Sequence, residues 1–195
     1  MIGKMADKRS DIRPAVDLFH EVRRYRYLSD GVRDPLTIAD RRAGSCTGKH
    51  LLLRDRLRQA GFKADVETVR GDFAAGIPVH PGMSAELREM VQEAGVDDFH
   101  NYVVLRMEDG RTLRLDATWN DALRPFGFPV NDRWHGEGDT AIALEPQASL
   151  GVREDVVAFK KDCLDQLPRA NLARRARFLE LLSEWISEVD EMTTG

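Results

Sequence analysis

The sequence predicts an α+β fold, and three observations carry that expectation. Apolar residues recur at helical spacing in several separated stretches, above all over 46–60, which Gly61 closes. A strand pattern, 63–69, follows that helix directly. Further along, two alternating segments flank Glu108-Asp109-Gly110 and read as an antiparallel hairpin.

Taken in order, residues 1–10 read as a loose tail. Residues 11–28 read as a helix, with Pro14 in its first turn, Val16, Phe19 and Val22 at helical spacing, and Ser29-Asp30-Gly31 as its stop. Residues 31–45 form a connection. Ser45 is placed to cap the helix over 46–60, where Cys46, His50, Leu53 and Leu57 share one buried stripe. After the strand at 63–69, the Gly- and Pro-containing stretch 70–83 reads as a loop, and Ser84 caps a short helix to 94 carrying Leu87, Met90 and Val91.

The hairpin spans 100–107 and 111–118. A three-residue turn with Gly110 in the left-handed position pairs Leu105 with Leu113 and Val103 with Leu115, which separates apolar from polar side chains. In that register Tyr102 faces Asp116, and His100 is the diagonal neighbour of Asp116 on the same face. Residues 119–139 form a second long loop, 140–144 a further strand, and 152–166 and 169–190 two helices separated by Pro168. The expected organisation is a core over 11–150 and a C-terminal helical extension of the same domain over 151–195.

Composition narrows the function classes. The 195 residues are 42% hydrophobic with a net charge of −4, enough for one full core. Acids and arginines are interspersed, so nothing favours nucleic acid or an anionic membrane as partner. The Arg23-Arg24 and Arg174-Arg175 pairs read as solvated helix faces. No apolar run is long enough to span a bilayer, and the start lacks a signal-peptide core, so the expected location is the cytoplasm. Two cysteines without CxxC spacing predict free thiols, with Cys163 filling a helix. His20, His80 and His135, with Asp121 or Asp132, lack ligand spacing, and neither a metal nor an organic cofactor is expected.

Cys46 is different. At the first turn of a helix, unpaired N–H groups and the helix dipole favour a thiolate. With His100 as base and Asp116 to orient it, the three have the makings of a nucleophilic site. His50, one turn after Cys46, is the rival base but is poorly aimed. Trp119 and Trp134 read first as core or loop anchors, and Trp119 also as a possible wall of the site.

Two segments carry a family resemblance. Gly44-Ser45-Cys46, Lys49-His50-Leu51-Leu52-Leu53 and Leu57 through Ala64 resemble the cysteine segment of the transglutaminase-like superfamily, and His100 through Asp116-Ala117-Thr118 its histidine strand and Asp-x-Thr motif. The resemblance covers about 40–120. It implies an antiparallel sheet packed against the cysteine-bearing helix, related to papain-like proteases, with extra N- and C-terminal helices. It implies a catalytic Cys46–His100–Asp116 triad, and thiol-dependent hydrolysis or acyl transfer on a peptide, protein or small amide. Thr47 stands where many members have an aromatic residue, and Tyr102 where many have Trp. Tyr102 and Trp119 are the expected substrate contacts. The competing expectations are a non-catalytic binding module of the same fold, and an acyl transferase related to arylamine N-acetyltransferases.

Overall fold

The cysteine-bearing helix, α3 (Cys46–Gln59), is the centre of the fold in a computed structural model that describes residues 11–194. The tail predicted at 1–10 lies outside the described residues. Before α3 come α1 (Arg13–Arg23), β1 (Arg26–Tyr27), α2 (Pro35–Arg41) and β2 (Ala43–Gly44). After it come β3 (Lys63–Asp72), α4 (Ala85–Glu93), β4 (Asp97–Arg106), β5 (Thr112–Leu115), a 3-10 turn (Asp121–Phe126), β6 (Glu145–Val152), α5 (Val156–Asp165) and α6 (Arg169–Thr194).

The antiparallel sheet has strand order β5-β4-β3-β6. The hairpin register is the one apolar alternation selects: Val103 opposite Leu115 and Leu105 opposite Leu113. Gly110 has φ +87°, and its N–H donates to the Met107 carbonyl at 3.1 Å. One core cluster joins Leu53 and Leu57 of α3 to Ala64, Val66, Val103, Leu105, Leu113 and Leu115. A second gathers Val69, Tyr102 and Val104 with Phe73, Trp119 and Phe128, and with Phe178, Leu182, Trp185 and Ile186 of α6. The C-terminal extension thus packs into the core.

The predicted stripe is only part of what α3 buries: every residue from Cys46 to Leu53 is buried. The sheet, α1 and α2 all pack against α3. Close approach of α2 depends on two glycines, since a Cβ on Gly44 or Gly48 would stand 2.5 or 3.0 Å from the Ile38 side chain.

Several expected elements differ. The first helix ends at Arg23, not 28, because the Arg26 and Leu28 N–H groups donate to Arg42 and Gly44 carbonyls in a short parallel pairing of β1 with β2. The 31–45 connection contains α2, capped by Asp34, whose carboxylate accepts from the Thr37 N–H at 2.8 Å. The loop expected from 70 begins later, because β3 continues to Asp72 opposite Asp97 and β4 starts there. Residues 140–144 are not a strand. Their N–H groups go elsewhere: Thr140 to the Arg114 carbonyl, Ala141 to Asn131 Oδ1 and Ala143 to Asp116 Oδ2. The strand lies just beyond, as the exposed edge strand β6. The helix expected over 152–166 starts at Val156, and in it only Val156 and Lys160 are buried, while Val157 is exposed. Among the described residues no helix is long and apolar enough to cross a membrane.

Candidate functional site

The hairpin register sets His100 diagonally from Asp116, and the two side chains meet: His100 Nε2 lies 2.7 Å from Asp116 Oδ2, with both residues 2% exposed. An ionised carboxylate only accepts, so the Nε2 proton belongs to the imidazole, and Nδ1 is left for another partner. His100 sits inside β4 rather than at its start, which fixes its backbone on both sides.

The Asp116 carboxylate is held on both oxygens. Oδ1 accepts from the Thr118 N–H at 2.9 Å and Oδ2 from the Ala143 N–H at 2.8 Å. Burial opposes its ionisation, but the His100 charge and hydrogen bond outweigh that and hold it well below the usual carboxylate range.

Cys46 opens α3 and is 5% exposed. Burial raises its pKa. The Lys160 charge, then the charge and hydrogen bonding of His100, lower it, and the thiol settles at about 6. His100 moves the opposite way: burial lowers it, Asp116 and Cys46 raise it, and it reaches about 10. The two shifts run in opposite directions, and both favour the thiolate–imidazolium form of the pair.

His50 is fully buried, and its Nε2 accepts from the Ala117 N–H at 2.7 Å. Burial draws its pKa down to about 3 against the pull of Asp116. It is a neutral, backbone-supporting group, not a base. His50, His100 and Asp116 offer three ligand atoms within 4.8 Å of one another. His50 Nε2 and both Asp116 oxygens already accept N–H hydrogen bonds, so this donor set fits a hydrogen-bonded relay better than a cation.

Sequence reasoning missed three supports. Lys49 Nζ is buried and donates to the carbonyls of Arg23, Tyr25 and Thr118 at 2.8–3.1 Å, stitching the end of α1 and the segment after Asp116 to α3. Burial lowers its pKa to about 7, with Asp116 opposing. Asn101 donates to Thr47 Oγ1 at 2.9 Å and accepts from Thr68 at 2.7 Å, tying the start of α3 to β4 and β3. Thr47 thus has a polar partner where an aromatic side chain would find none. Tyr27 is buried against the site, and burial followed by the Cys46 charge raises its pKa. The clearest sequence signal was Lys49 itself, a charge inside an otherwise apolar helix face.

Of the expected substrate contacts, Tyr102 donates to Glu67 at 2.7 Å and lines an open trough of about 460 Å³ with Arg114 and Ser149. Trp119 lies in the core, stacked on Phe73 and tilted against Tyr27. Ser45 occupies the cap position of α3, but its hydroxyl makes no cap hydrogen bond. The arginine pairs are not simply solvated: Arg23 is buried against Asp121, and Arg175 reaches Asp98. Cys163 is half-buried. No protein-family model, curated protein or solved structure matches the chain.

Proposed function

We propose that the protein is an enzyme of transglutaminase-like type, performing thiol-dependent acyl transfer or amide hydrolysis with Cys46 as nucleophile, His100 as general base and acid, and Asp116 as the group that orients the imidazole. The observation that carries this reading is the buried His100–Asp116 hydrogen bond with the remaining imidazole nitrogen left for Cys46. The thiolate attacks an acyl carbon, and backbone N–H groups at the start of α3 take the oxyanion. His100 protonates the leaving amine or alcohol, and a thioester remains on Cys46. Water, or a second amine, deprotonated by His100, then releases the acyl group and restores the thiol. Water makes the activity hydrolysis and an amine makes it transfer. The near-complete burial of Cys46 favours a second reading, a binding module that keeps the same constellation without turnover.

One test separates them. Incubation with p-nitrophenyl acetate is expected to give an acetyl mass shift on the peptide containing Cys46, labile to hydroxylamine and absent in Cys46→Ala. Absence of that adduct under conditions that acetylate free cysteine contradicts the enzyme reading.

A further inference from the structure

Asp98 stands two residues before His100 in β4, so both side chains leave the strand on the same face. Asp98 is 4% exposed. Two cations from the C-terminal helices converge on it. Arg175 of α6 donates through Nε to Oδ1 at 2.6 Å, and Lys160 Nζ of α5 lies 3.7 Å from the same oxygen. One carboxylate thus faces two cations, and the second positive charge is met by the Cys46 sulfur only while that is a thiolate.

Neither cation is used up. The Lys160 side chain is 7% exposed, and among the described residues its ammonium has this ion pair but no hydrogen bond. The two Nη groups of Arg175 likewise donate to no described residue. The Lys160 stem is buried while its nitrogen stays open to a further partner, and Val156 is the sole other buried residue of α5. Both cations also act on the Cys46 sulfur, which the Lys160 charge holds toward the thiolate together with His100.

We infer that Lys160 and Arg175 form a carboxylate-recognising subsite beside Cys46, so that the acyl substrate carries a carboxylate close to the carbonyl under attack. The inference rests on Cys46 being a nucleophile and names the substrate class for that site. Asp98 fixes the guanidinium through Nε, leaving the Nη groups to fork a carboxylate, while Lys160 supplies a point charge.

Iodoacetate and iodoacetamide present the same electrophilic carbon and differ in carrying a carboxylate or an amide. Their rates with Cys46 are compared in the Cys163→Ser protein at one pH, where the thiolate fraction cancels from the ratio. Iodoacetate is expected to react about tenfold faster and to saturate, and Lys160→Met to bring the ratio below one. A parent protein that reacts faster with iodoacetamide, without iodoacetate saturation, overturns the subsite and leaves the nucleophile standing. So does a ratio that Lys160→Met leaves unchanged. If neither reagent labels Cys46, the nucleophile and the subsite fall together. The parent ratio needs no substituted cation, so the test holds even if Lys160→Met fails to fold.

Discussion

Asp116 is where most of the site's order converges, since its two oxygens receive His100, Thr118 and Ala143. Asp116→Asn replaces one acceptor by an amide that faces either an N–H group or the imidazole proton. Acetylation of Cys46 is expected to slow about a hundredfold, and stability to fall by about 2 kcal/mol, read by stopped-flow acylation and urea unfolding respectively. Unchanged acylation would remove Asp116 from the mechanism. The Asp116–His100 pairing was legible before the structure, because apolar alternation admits one register of the hairpin and that register brings the two residues together. The neutral role of His50 was half legible. Its aim away from the thiol follows from helix geometry, but its bond to the Ala117 N–H depends on a chain reversal no local pattern encodes.

Lys49 links elements rather than reacting groups. Its ammonium satisfies three carbonyls from two chain segments that no ladder holds. Lys49→Met fills similar volume but orphans those acceptors, and a loss of about 3 kcal/mol is expected on urea unfolding. A loss under about 0.5 kcal/mol, the size of an ordinary surface change, would show that the lysine is incidental. Such a residue escapes sequence reading because charge in a helix is taken as exposure. The same limit explains 140–144: Thr-Ala-Ile-Ala-Leu looks like a strand, but its N–H groups serve Asp116, Asn131 and Arg114, while the edge strand falls on the polar segment after it. By contrast, Asp34-Pro35 ahead of Thr37 is a readable helix start, and α2 was within reach of the sequence.

The way the fold responds to pH follows from proton counts. The depressed Cys46 pKa contributes stability that is complete above the ordinary thiol value and lost as pH falls through about 6. The raised His100 pKa contributes stability that is complete below about 6.5 and lost as pH rises through about 10. Between about 6.5 and 9 the folded pair and the unfolded pair each hold one proton, so the two slopes cancel and the pair itself adds no pH dependence there. At the acid side the sign is clear. Asp116 and Asp98, buried, and Asp121, Asp65 and Asp30, paired with arginines, all have lowered pKa values, so the unfolded chain takes up protons first. Thermal melting is expected to rise from about pH 7 to 9, where buried Lys49 has given up a proton that the unfolded chain still holds, and to fall steeply below about pH 4, by roughly 1.4 kcal/mol per pH unit for each such proton. A melting temperature that holds steady to pH 2 would contradict these ion pairs.

The most direct measurement is the rate of Cys46 alkylation by iodoacetamide against pH, in the Cys163→Ser protein with and without His100→Ala. A half-maximal rate near pH 6, moving up by at least about one unit when His100 is removed, is what a thiolate–imidazolium pair requires. An inflection near the ordinary thiol value in both proteins would show that Cys46 is an unactivated buried thiol, and the acyl-transfer reading would fall with it.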